Sequence, residues 1–114
     1  MSVNPQPDVR SLISQMADGL GPELIGAMCG LEGSAPLKTW MIQPPDGEIE
    51  AKLRTGHKVF KVLREAEGVD IARAWLMGMN PLLADANPLF EIGAGHGDTV
   101  LLAAWSYLED PMLT

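Results

Sequence analysis

The chain has a single cysteine, Cys29, so neither an intramolecular disulfide nor a thiolate zinc cluster can form within it. That usage fits a reducing cytoplasm. Long hydrophobic runs are missing: the longest strictly apolar stretch, Val100–Trp105, is far short of the ~20 residues that span a bilayer. No basic stretch followed by an apolar one occurs in Met1–Asp8, so no signal peptide is expected. Bases are scarce, eight against fifteen acids, for a net charge of −7. A nonspecific nucleic-acid binder normally carries the opposite sign. The 114 residues are too few for a two-domain enzyme or a complete dinucleotide-binding fold. With 46% hydrophobic and 20% charged residues, the chain is too apolar to stay disordered.

The charge that is present is laid out unevenly. Residues 36–64 hold six bases and three acids, whereas residues 65–114 hold one base and eight acids. The middle suits a phosphate backbone and the C-terminal half does not.

The pattern is helical throughout. Met1–Pro7 is polar with two prolines and is expected to be a disordered tail. Asp8 has the side chain of a helix cap, and Val9, Leu12, Ile13, Met16 and Leu20 follow at helical spacing. Gly19 and Gly21 mark the end of that helix. Pro22 suits the first turn of a second helix, with Leu24, Ile25 and Met28 on its apolar face and Gly30 as its stop. Ser34 is placed to cap a short third helix carrying Leu37, Trp40 and Met41. Pro44-Pro45-Asp46-Gly47 is the clearest break, and it separates residues 8–43 from residues 44–114. A long helix over about 48–67 comes next. Ile49, Leu53, Val59, Phe60 and Leu63 lie on one side of it, and Arg54, Lys58 and Lys61 form a basic stripe on another. Gly68 ends it, and Asp70 is read as the cap of a helix over Ile71–Met77. Asn80-Pro81 and Asn87-Pro88 each place Asn at a cap and Pro at the first helical position. Leu82, Leu83, Leu89, Phe90 and Ile92 are expected to turn inward between them. Asp98 is read as the cap of a last helix, Thr99–Leu108, closed by Pro111. No stretch alternates as a strand would, so the fold class is all-α.

The string Phe90-Glu91-Ile92-Gly93-Ala94-Gly95-His96-Gly97-Asp98 resembles the glycine-rich loop of methyltransferases that bind S-adenosylmethionine. Such a loop needs a strand before it and further strands behind it. Only 17 residues follow Gly97, and Pro88 argues against a buried strand. The expectation is a helix-to-helix joint with no cofactor. His57 sits mid-helix beside Lys58, and His96 sits in the joint; neither gathers the three or four ligands of a metal site. Met77, Met79 and Met112 are of the type that fills cores or adapts to binding partners. No Ser-His-Asp or Cys-His set has its partners, so no enzyme activity is expected.

The first three helices have the shape of a helix-turn-helix, with a tight glycine-containing link before the third. A DNA reader carries Arg, Gln or Asn on that third helix. Here it offers only Lys38 and Gln43, plus Ser34 and Thr39, so a degenerate motif with weakened or lost DNA reading stands beside a functional one.

Trp75 is followed five residues later by Asn80, then Pro81 and Leu83; Pro88 comes five after Leu83, then Leu89, Ile92, Gly95 and Val100. The preceding helix contributes Leu53, Val59 and Leu63. In this order and spacing, residues 48–108 resemble antitoxins that pair an intact or degenerate Xre-type helix-turn-helix with the MbcA/ParS toxin-binding domain. Over residues 10–43 the resemblance is looser and rests on Ser34, Trp40 and the prolines that follow. Ala94–Gly97 departs from the pattern, with glycines and a histidine where such domains often carry charge.

The resemblance implies a non-enzymatic bacterial protein that holds a RES-domain, NAD-consuming toxin inactive by covering its active-site cleft. It makes residues 44–114 the toxin-binding domain. The candidate inhibitory surface comprises Met77, Met79, Asn80, Phe90, His96, Trp105, Tyr107, Met112 and Leu113. Lys38, Arg54, Lys58 and Lys61 are candidate DNA-backbone contacts for weak, autoregulatory binding. The alternative is a stand-alone helix-turn-helix transcriptional regulator. Homodimerisation stays open, and no cofactor, metal or membrane is expected.

Overall fold

In a computed structural model, residues 8–109 are described. The disordered tail expected at Met1–Pro7, and the calls on Pro111, Met112 and Leu113, lie outside them. The Asp8 carboxylate accepts from the Arg10 N–H at 2.9 Å and opens α1, Val9–Met28. This element is broken once, at Gly21, where φ is 82° and ψ is 162°, and Pro22 restarts it. That left-handed backbone is one that a side chain rarely tolerates. The first two helices of the sequence reading are thus the two limbs of α1. Gly19 does not end the first limb. A Cβ there would come within 2.6 Å of the Phe60 ring, so this glycine serves close packing.

Ser34 precedes α2, Ala35–Ile42, without a side-chain cap bond. Trp40 is buried, but Met41 faces outward and not into the core. With eight residues, α2 buries only one narrow strip.

Asp46 caps α3, Gly47–Glu67, accepting from the Ile49 N–H at 2.9 Å. Leu53, Val59, Phe60 and Leu63 are buried along it, each worth about 1.5–3 kcal/mol of transfer free energy. This helix is central, packing against α1, α4 (Val69–Met77) and α6 (Gly97–Glu109). Gly68, not Asp70, occupies the cap position before α4. Asp70 lies in the first turn, where its charge still complements the helix dipole.

Both Asn-Pro caps form as read. The Asn80 side chain accepts from the Leu82 N–H at 2.9 Å and opens a short 3₁₀ turn, Pro81–Leu83. The Asn87 side chain accepts from the Phe90 N–H at 3.1 Å and opens α5, Pro88–Gly93. Leu83, Leu89 and Ile92 turn inward, whereas Leu82 and Phe90 point outward. A single helical turn has only one side to give to the core. Asp98 is likewise not a cap: the Val100 N–H donates to the His96 carbonyl at 3.2 Å, so α6 starts ahead of it. One hydrophobic cluster runs from Val9, Ile13 and Met16 of α1 to Val100 and Ala104 of α6. Residues 8–43 and the C-terminal part therefore share a core. Among the described residues all regular structure is helical, with one isolated bridge between Asn80 and Ala86.

The glycine string has its explanation in packing. A Cβ on Gly93 would lie 2.8 Å from the Gly30 backbone nitrogen and 3.0 Å from the Ala27 carbonyl oxygen. Gly95 has φ 94°, and a Cβ on Gly97 would meet Thr55 Cγ2 at 2.5 Å.

Candidate protein-binding surface

On α4, Ile71, Ala74, Trp75 and Gly78 recur at spacings of three, one and three, and so share one side of the helix. Tyr107 of α6 packs over Trp75, with ring centroids 6.3 Å apart and planes inclined by 44°. Its hydroxyl donates to Glu67 Oε1 at 2.9 Å. That hydrogen bond, then burial, raises the tyrosine pKa above its usual value. Met79, Asn80 and Pro81 complete an open groove of about 290 Å³. The indole N–H of Trp75, a lining residue, is buried with no acceptor among the described residues. A buried donor left unpaired is uncommon.

The sequence-derived surface residues are not gathered at one spot. Met79, Asn80 and Tyr107 line the groove. Met77 and Phe90 belong to an adjoining corner tied together by Asn87, whose side chain donates to the Met77 carbonyl at 2.7 Å while accepting from the Phe90 N–H. Phe90 is 70% exposed and Met79 80%, large values for such side chains. Trp105 is half-exposed, but it stands two residues from Tyr107, about 200° around the helix, and faces away from the groove with Leu102. Asn80 is a correction: it is 3% exposed. Its side chain is committed to the Leu82 N–H and its backbone N–H to the Ala86 carbonyl. Its role is to fold the turn that presents Met79. His96 is exposed, away from the groove, and its Nδ1–H donates to Glu91 Oε1 at 3.1 Å. Ile71 and Trp75 were not assigned to this surface by sequence reasoning; their spacing with Gly78 carried the signal, but Trp75 reads as core.

Among the candidate DNA contacts, Lys58 and Lys61 are exposed on α3, while Arg54 Nε donates to Glu50 Oε2 at 2.9 Å. Lys38 stands on a different element, α2, beside the exposed side chains of Met41 and Ile42. His57 is buried on α3 and bonded to Gln15 Oε1 at 2.8 Å. Burial, then Lys61, Arg64 and Arg54, hold its pKa below 6.5. Burial pushes the Cys29 thiol up to about 12, against a smaller opposing effect of Lys52, so it is no nucleophile at neutral pH. Among the described residues no three His, Cys, Asp or Glu side chains converge to hold a metal ion. No helix there is long and apolar enough to cross a membrane. No known family model, curated protein or solved structure matches this chain.

Proposed function

We propose that this chain is an antitoxin-type inhibitor that binds a RES-type, NAD-consuming toxin through its C-terminal part and occludes the active site. One observation carries the reading. The large hydrophobic side chains exposed on the described surface, apart from Leu31, Met41 and Ile42, all belong to residues 69–105: Val69, Ile71, Met77, Met79, Leu82, Phe90, Leu102 and Trp105. Exposed apolar side chains at this density are typical of protein-binding faces. They are set within residues 65–114, where acids outnumber bases eight to one. That sign complements a cleft built to hold the phosphates of NAD. The resemblance of residues 48–108 to the MbcA/ParS domain points the same way.

The outward face of α2 gives less support to a stand-alone regulator, since Met41 and Ile42 flank its single lysine. The test is co-expression with a RES-type toxin, first the one encoded by the neighbouring reading frame if it has one. Growth should return when this chain is present, and the two proteins should copurify. Persistent toxicity alongside abundant, folded chain would contradict the proposal.

A further inference from the structure

The geometry points to the Trp75 groove as the docking site for a cationic amphipathic segment of the protein partner, an apolar side chain seated on Trp75 and Tyr107 with Lys or Arg beside it. This rests on the inhibitor reading and names which part of the surface is used and what it takes.

Three observations converge. The first is the apolar character of the groove: Ile71 is 45% and Met79 80% exposed, and Trp75 forms the floor under Tyr107. The second is its charge. Glu67, held by the Tyr107 hydroxyl, stands at one end, and Asp70 lies one helical turn before Ala74 on the same side of α4. Asp85 lies on the turn that follows Asn80 and Pro81, its backbone N–H bonded to the Asn80 carbonyl. No lysine, arginine or histidine lines the groove. Arg73, the one base after Arg64, is turned away and donates to the Gly19 carbonyl at 3.0 Å. Acids beside the groove and no opposite charge in its lining select a basic occupant. The third is the buried indole N–H, without an acceptor among the described residues. A bound form in which the groove side chains shift and admit a carbonyl of the occupant to that N–H removes the unsatisfied donor.

The test follows the indole ¹⁵N–¹H resonance of Trp75 in the full chain, assigned with Trp75→Phe. Two short amphipathic helices are titrated, one of leucine and lysine, the other with glutamate for lysine. The leucine–lysine peptide should shift the Trp75 resonance saturably and the leucine–glutamate peptide should not. Ile71→Glu with Met79→Glu, both at exposed positions, should weaken that binding by at least about tenfold while circular dichroism stays unchanged. Glu67→Lys with Asp70→Lys should do the same. Binding unaffected by either pair overturns the proposal, as does a shift confined to Trp105. Two rival occupants are read in the same spectra. A Trp75 resonance that moves on dilution means a second copy fills the groove. One that moves on removal of residues 110–114 means this chain fills it itself. Either result overturns the proposal. A toxin still neutralised by Ile71→Glu/Met79→Glu removes the groove and leaves the inhibitor reading standing. Peptide binding by a chain that neutralises no RES-type toxin does the reverse.

Discussion

Gly93→Ala should destabilise the fold, although alanine is the better helix former. Gly93 closes α5 against the end of α1, where Gly30 faces it backbone to backbone. An added methyl group would lie 2.8 Å from the Gly30 nitrogen and 3.0 Å from both the Gly30 Cα and the Ala27 oxygen. Ordinary contact between such atoms is about 3.5–4.0 Å, so the two elements must separate by several tenths of an ångström. Helix propensity favours the substitution by at most about 1 kcal/mol. Overpacking against atoms that cannot rotate aside costs about 1–3 kcal/mol. The net expectation is a loss of about 1–2 kcal/mol, read as a lower urea midpoint by circular dichroism at an unchanged slope. Gly97→Ala supplies the contrast. There the obstacle is Thr55 Cγ2 at 2.5 Å, a side-chain methyl. Thr55→Ser removes it and should restore at least half of the loss in Gly97→Ala. Nothing can be trimmed opposite Gly93, because Gly30 already lacks a side chain. A Gly93→Ala protein as stable as its parent would refute the packing explanation of the glycine string.

Trp75→Ala should cost about 3 kcal/mol, the low end for emptying a large aromatic site, because Trp75 is only partly buried. Trp75→Phe should stay within about 1 kcal/mol of the parent, since it also removes an unsatisfied donor; equal losses in the two variants would mean the indole N–H is paired. For His57 the folded pKa lies below the unfolded value, so the unfolded chain takes up the proton first as pH falls. Its contribution to stability is complete above about pH 6.5 and declines from there down through the folded pKa. His57→Gln should therefore flatten the stability profile below about pH 6.5, and a profile as steep as the parent's would show that His57 does not titrate on unfolding. DNA binding by the isolated chain should be weak, lost at modest salt and abolished by Lys58→Glu with Lys61→Glu; tight, sequence-selective binding at physiological salt would contradict this.

The elements that punctuate the chain were legible because their signals are local. Asp8, the two Asn-Pro pairs and Pro44–Gly47 act through their own backbone, and the structure places them as read. Asp70 and Asp98 misled because a carboxylate favours both the cap and the first turn; here a glycine at position 68 and the His96 carbonyl start those helices. Phe90 and Leu82 were read as inward from hydrophobicity alone. Which side of a one-turn helix faces the core depends on α1, α3 and α6, distant in sequence. Of the residues read as a binding surface, Met79 and Tyr107 line the groove and Asn80 is nearly buried in it, while Ile71 joins only once α6 is laid against α4.

The central claim is occlusion of a toxin active site, and the most direct measurement is NAD consumption by a purified RES-type toxin that copurifies with this chain, titrated with the chain. The expected result is activity that falls linearly to zero at equal concentrations of the two proteins and is recovered when the chain is displaced. A complex that forms but consumes NAD at the rate of the free toxin would contradict the claim.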